Sequence, residues 1–92
     1  MSLIPDGFPG GELVEEGLRD LAAGVESVPA LLVAIGAPRL RQCGLDVPDG
    51  PATPEHRLYA LLARESPTAA HSRYNALIRR LVSFERALEC AR

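Results

Sequence analysis

The fold is decided by the C-terminal stretch 70–91, AHSRYNALIRRLVSFERALECA. Apolar side chains recur along it at alternating spacings of four and three residues, and the set is Ala70, Tyr74, Leu77, Leu81, Phe84, Leu88 and Ala91. This spacing places all of them along one seam of a single helix. The stretch therefore predicts a long amphipathic helix that reaches Cys90 or Ala91. It indicates an architecture and carries no chemistry of its own.

Two helices are predicted in the first half of the chain. Acidic residues open the first of them, from about residue 12 to residue 23, and Gly24 is a typical residue to end it. Ser27 is the predicted N-cap of the second helix, with Pro29 in its first turn. Residues 28–35 are apolar on every side, and a short helix of that kind is normally buried. The second helix is therefore expected at the centre of the domain.

The second helix is followed by residues that interrupt regular structure. Gly36, Ala37 and Pro38 are predicted to break or kink it, because proline cannot donate the hydrogen bond that a helix requires at that position. A short extension over residues 39–43 then ends at Gly44. Residues 45–52 contain prolines and an Asp-Gly pair, and they predict a loop.

The last two helices have similar predicted beginnings. Thr53 is the predicted N-cap of the third helix, which runs to about residue 65, and Ser66-Pro67 repeats the same signal for the fourth. His56 and Tyr59 also recur fifteen residues later, as His71 and Tyr74. So few matches are too weak to indicate a sequence repeat, and we interpret them as two similar helix beginnings.

Together these signals predict an all-α fold: a small four-helix domain with a kinked second helix and a long C-terminal helix. A single domain over residues 12–92 would follow an extended N-terminal arm over residues 1–11, where Leu3, Ile4 and Phe8 could attach to the core. Leucine and alanine dominate the composition and only four residues are aromatic, which favours packed helices over sheets.

Charge is distributed unevenly along the chain, although the net charge is only −2. Residues 1–50 hold eight acids and three arginines, whereas residues 51–92 hold four acids and seven arginines. A chain with this balance has no general attraction to nucleic acid or to a membrane surface. We find no signal peptide and no apolar run long enough to span a membrane. The expected location is therefore the cytoplasm, with Cys43 and Cys90 as free thiols and with neither a cofactor nor a metal site.

The strongest functional hypothesis concerns self-association through the C-terminal helix. A four-helix domain needs only part of the apolar seam for its own core, and the remainder would form an exposed patch. Glu85 lies beside the seam and would be stabilised by an arginine, for which Arg80 of a second, parallel chain has the required heptad position. The sequence thus predicts a non-catalytic protein–protein interaction module, either a homodimer or a module for another protein. The expected interface contains Tyr74, Leu77, Ile78, Arg80, Leu81, Phe84, Glu85 and Leu88.

Nucleic-acid binding is a weaker alternative. Half of the arginines lie on the C-terminal helix and could contact phosphates, namely Arg73, Arg79, Arg80, Arg86 and Arg92. Glu85 and Glu89 are interleaved with them, however. The turn around residues 21–25 faintly suggests a helix-turn-helix, in which the following helix would contact bases in a DNA groove. That helix, over residues 28–35, holds no side chain that reads bases.

An enzyme is the remaining alternative. Six residues lie between Arg64 and His71, a spacing that resembles the one in some helical bacterial ribonucleases. An enzyme of that kind, such as a toxin–antitoxin component, would place His56 and His71 in one cleft. Ten arginines, two histidines and three allowed spacings in 92 residues produce about 0.6 such pairs by chance, so the spacing has almost no weight. We therefore expect no catalytic residues, and replacement of either histidine by alanine should leave the structure intact and abolish no activity.

Overall fold

The computed structural model describes residues 7–91, and this part of the chain forms four helices with no strand. They are α1 (Gly11–Ala22), α2 (Val28–Gln42), α3 (Pro54–Glu65) and α4 (Ala70–Cys90). The all-α four-helix fold predicted from the sequence is confirmed. Leu3 and Ile4 of the predicted arm, and Arg92 of the arginine set, lie outside the described residues.

Helix α2 occupies the centre of the domain, as its apolar sequence predicted. It packs against α1, α3 and α4, and Leu31, Leu32 and Val33 are fully buried. A helix that is surrounded by neighbours requires apolar side chains on several faces, which is the pattern over residues 28–35.

Helices α1 and α2 approach each other most closely at Gly17. A Cβ atom at Gly17 would lie 2.3 Å from the carbonyl oxygen of Pro29 and 2.4 Å from Cγ2 of Val33. Only a residue without a side chain fits between the two backbones at this distance. The approach brings Val14 of α1 into the same buried cluster as Val33.

The connection between α1 and α2 follows the predicted pattern. Gly24 adopts a left-handed conformation with φ 75°, which ends α1. The backbone N–H of Ala30 donates to Oγ of Ser27 at 3.2 Å, so Ser27 is the N-cap of α2. The Ser27 hydroxyl also donates to Oδ2 of Asp20 at 2.6 Å, which fixes the turn to the end of α1.

Helix α2 continues through Pro38 and ends at Gln42, so the expected extension over residues 39–43 consists mainly of the last turn of the same helix. Pro38 is exposed, and its ring therefore displaces nothing in the core. Gly36 and Ala37 are buried against the rest of the domain, and this packing holds the helix across the proline. Gly44, with φ 94°, then turns the chain away.

Helix α3 begins as predicted, with Thr53 at the N-cap position and Pro54 in the first turn, whereas the predicted beginning of α4 needs correction. The Thr53 side chain makes no capping hydrogen bond, because its hydroxyl donates to the Ala52 carbonyl and its backbone is left-handed at φ 51°. Helix α4 begins at Ala70 and not after Ser66. The Ala69 N–H donates to the Ser66 carbonyl, which closes a separate turn ahead of the helix.

Two clusters of buried side chains form the core. One joins α1, α2, the first half of the α2–α3 loop and the end of α4, and it contains Val14, Val33, Ala37, Leu40, Leu45, Val47, Phe84 and Leu88. Phe8 packs edge-on against Phe84 with ring centroids 6.0 Å apart. The other cluster joins α2, α3 and α4 through Leu31, Leu32, Leu58, Leu62, Ala70 and Leu81. Because α4 contributes to both clusters, it is a core helix over most of its length.

Candidate interaction surface on helices α3 and α4

The eight residues predicted for an interface fall into two groups along α4. In the C-terminal half of the helix the structure buries four of them within the chain itself, namely Leu81, Phe84, Glu85 and Leu88. Tyr74, Leu77 and Ile78 are half-buried in the N-terminal half, and Arg80 is exposed. The seam is therefore divided: its second half belongs to the core, and its first half keeps apolar surface in contact with solvent.

The buried half of the seam includes one charged residue, Glu85. Its side chain is only 6% exposed, and Oε1 lies 3.4 Å from Nη1 of Arg39 on α2. Arg39 also donates from Nε to Oε1 of Glu89, one helical turn further along α4. One arginine thus holds two carboxylates of α4. The sequence predicted that Glu85 would pair with Arg80 of a second chain. In the structure, Glu85 pairs with Arg39 of the same chain.

Gly36 lies directly against this part of α4. A Cβ atom at Gly36 would lie 3.0 Å from Oε2 of Glu85 and 3.0 Å from Cδ1 of Leu81. Gly36 and Arg39 are three residues apart and therefore lie on the same face of α2. The glycine admits α4 close to α2, and the arginine then reaches across the contact to the carboxylates.

Burial raises the pKa of the Glu85 carboxyl, since removing the carboxylate from water disfavours its charged form. Arg39 opposes this shift, and the negative charge of Glu89 adds to it. A carboxyl whose pKa is higher in the folded state binds protons more readily when folded. Its contribution to stability is therefore fully present below its ordinary pKa and is lost as the pH rises through the raised value.

We expect the substitution Glu85→Gln to remove this pH dependence. The amide keeps an oxygen for Arg39 but has no charge to desolvate, so the stability of the variant relative to the wild type should increase from mildly acidic to neutral pH. Urea unfolding measured across that range checks the prediction. Glu16→Gln, at an exposed carboxylate of α1, is the matched control and should follow the wild type. Parallel curves for Glu85→Gln and the wild type would contradict the assigned burial.

The solvent-exposed half of the seam centres on a pair of tyrosines. The ring of Tyr59 on α3 lies against the ring of Tyr74 on α4, with centroids 5.8 Å apart and planes inclined at 57°. Tyr59 is 41% exposed. Leu77 and Ile78 follow Tyr74 by three and four residues, so they lie on the same side of α4. These four side chains are called the tyrosine patch below.

A few charged side chains border the tyrosine patch. The pKa of Tyr74 is raised, first because the phenol is partly removed from water and second because Glu55 is negatively charged. Tyr74 is therefore a neutral hydrogen-bond donor at physiological pH. Nearby, Arg73 pairs with Glu65 of α3 at 2.8 Å, so these two charges compensate each other within the chain.

The histidines of the enzyme alternative lie on the protein surface. His56 and His71 are both exposed, and Nε2 of His71 lies 3.2 Å from the amide nitrogen of Asn75 on the same helix. Arg64 is exposed near the end of α3. Among residues 7–91 no hydrogen bond or ion pair joins Arg64 to either histidine, so the structure gives the ribonuclease-like spacing no supporting contact.

Two shallow grooves, of about 250 and 360 Å³, lie next to the α1–α2 turn. The first is bordered by the α1–α2 turn and residues 49–51, and the second by α3. Both include Glu26 and the edge of Leu31. At the boundary of the two grooves, Nη1 of Arg57 donates to Oε1 of Glu26 at 3.0 Å. The pair is a structural bridge from the turn to α3.

The described part of the chain contains no group of three or more histidine, cysteine, aspartate or glutamate side chains that could hold a metal ion. Cys43 is half-buried and Cys90 is exposed, and both are free. Within residues 7–91 no helix combines the length and the apolar character that crossing a membrane requires.

Comparison with protein-family models, curated proteins and solved structures finds no match to this chain. Any function must therefore be argued from the surfaces themselves.

Two important residues were missed by sequence reasoning. Arg39 was assigned to a short extension of the second helix and not to a contact with α4. The available signal was that Arg39 follows Gly36 by three residues, which places it on the helix face where a neighbouring helix can approach closely. Tyr59 was noticed for its fifteen-residue correspondence with Tyr74 and as a possible neighbour of His56 in a cleft, but not as part of an interface, and the structure pairs the two tyrosine rings.

Proposed function

We propose that this protein is a non-catalytic helical interaction module that forms a homodimer through the tyrosine patch. The observation that carries the proposal is the exposed Tyr59 ring resting on Tyr74, next to the half-buried Leu77 and Ile78. Tyrosine is enriched at protein interfaces, since it offers a large apolar ring with a polar hydroxyl at little cost in conformational entropy.

A second copy of the chain fits this surface for an electrostatic reason. A twofold contact brings identical surfaces together, so any unpaired charge on the patch would face its own copy. Arg73 and Glu65 beside the patch are already paired within each chain, so these two charges add nothing to that repulsion. The free thiols of Cys43 and Cys90 fit a reducing cytoplasmic compartment, where the proposed dimer would form without disulfides.

The proposed interface is smaller than the one derived from the heptad alone. Leu81, Phe84 and Leu88 are buried in the core, and Glu85 is held by Arg39. The proposal therefore does not depend on an ion pair between Arg80 and Glu85 of different chains. It relies on apolar contact, and we expect the association to be only weakly sensitive to salt.

Sedimentation of matched variants tests the proposal. The wild type should contain a two-chain species whose fraction decreases on dilution, and Tyr59→Asp should sediment as a single chain. Val25→Asp is the matched control, because Val25 is the other large apolar side chain with high exposure in the described residues, at 49%, and lies outside the patch. It should behave as the wild type does. A one-chain mass for the wild type at every concentration would contradict the proposal.

A further inference from the structure

Helix α4 carries a second surface, which we call the arginine face. Arg79 and Arg86 lie in line along the helix, and Arg80 lies about 100° around the helix from Arg79. All three side chains are exposed. Within residues 7–91 the ion pairs involve four other arginines, namely Arg39, Arg41, Arg57 and Arg73, and none involves the arginine face. These three positive charges of α4 are thus not neutralised by contacts within the described chain.

The reason lies in the contacts of the two acids that neighbour these arginines on α4. Glu89 is three residues after Arg86, a spacing at which helical side chains commonly pair. Arg39 of α2 bonds Glu89 and also holds Glu85. The two acids that are interleaved with the arginines in the sequence are therefore both drawn toward α2, and they do not neutralise the arginine face.

We infer that the arginine face binds an acidic segment of another protein. Arg79 and Arg86 are separated by two turns of helix, about 10 Å along its axis. On a helical partner, two carboxylates that are also two turns apart would have the same spacing as Arg79 and Arg86. Guanidinium groups suit such contacts, because their planar donors can bind a carboxylate through two hydrogen bonds.

An acidic protein segment fits better than nucleic acid. A long polyanion interacts with the charge of the whole molecule, and the chain has a net charge of −2. A short acidic segment contacts only the local surface, where the charge is positive. A second copy bound face to face is disfavoured, since like charges would meet.

The experiment compares the binding of a short poly-L-glutamate of about eight residues, long enough to cover two helical turns, with that of single-stranded RNA and duplex DNA by the full chain at low and physiological salt. Wild type should bind poly-L-glutamate more tightly than either nucleic acid, with affinity decreasing as salt increases. The double variant Arg79→Glu/Arg86→Glu should weaken that binding at least about tenfold, since two contacts change from attraction to repulsion. Circular dichroism of each variant verifies that it is folded.

A charge-matched control separates a defined surface from diffuse attraction. The double variant Arg19→Glu/Arg64→Glu changes the net charge equally at exposed positions on α1 and α3, and it should keep near wild-type affinity. Equal weakening in the two double variants, or no binding of poly-L-glutamate by the wild type at low salt, would overturn the inference. Tighter binding of RNA or DNA than of poly-L-glutamate would also overturn it, in favour of nucleic acid. Tyr59→Asp should bind poly-L-glutamate as the wild type does, so this result is independent of the dimer.

Discussion

Leu32→Asp is expected to abolish folding. Leu32 is 0% exposed at the centre of α2, and it packs in a cluster with Leu58 and Leu62 of α3 and Leu81 of α4. Placing a carboxylate there without a partner costs several kcal/mol, which is comparable to the roughly 5–15 kcal/mol that stabilises a whole domain. The variant should lose the helical circular dichroism signal of the wild type and its cooperative urea transition.

Val25→Asp provides the control for Leu32→Asp. It introduces the same carboxyl group, but at a residue that is 49% exposed, so it should unfold close to the wild-type midpoint. A soluble Leu32→Asp protein with wild-type helicity would show that α2 is not the centre of the fold.

Gly17→Ala is expected to produce the second largest effect. In the interior of a helix, alanine is normally more stable than glycine by about 0.5–1 kcal/mol. Here the new methyl group would lie 2.3 Å from the Pro29 carbonyl oxygen, a backbone atom that cannot move independently of α2. The two helices must separate, and we expect a net loss of about 3 kcal/mol in the free energy of unfolding.

The comparison of Gly17→Ala with Gly36→Ala tests this explanation. A Cβ atom at Gly36 meets only side-chain ends, of Glu85 and Leu81, at 3.0 Å, and these can shift. Gly36→Ala should therefore change the free energy of unfolding by no more than about 1 kcal/mol. Urea unfolding of both variants provides the measurement. If Gly17→Ala is as stable as the wild type, α1 does not approach α2 as closely as described.

The sequence predicted the fold well where the pattern was local. Periodicity identified α4, an apolar run identified the buried α2, and Ser27 and Gly24 marked the connection before it. Thr53 was correctly placed at the N-cap position of α3, but its side chain makes no capping hydrogen bond. That bond depends on the backbone conformation of Thr53, which is left-handed here and which the residue type does not determine.

The candidate surface was less predictable, because it depends on which helices cover α4. A heptad shows that one face of α4 is apolar but not how much of that face the chain itself buries. The contact between Gly36 and Leu81 places the second half of the seam in the core, and Arg39 satisfies Glu85 from a position forty-six residues away. Contacts at such separations depend on the tertiary packing, which local patterns do not specify.

The division of α4 into a core half and an interface half is tested most directly by amide hydrogen exchange of the wild type at a low and a high protein concentration. We expect protection around Tyr59 and residues 74–78 to increase with concentration, because association suppresses local opening there. Residues 81–88 should be equally protected at both concentrations, since the chain buries them itself. Exchange that is independent of concentration throughout, or that changes over residues 81–88 and not at the tyrosine patch, would contradict the account.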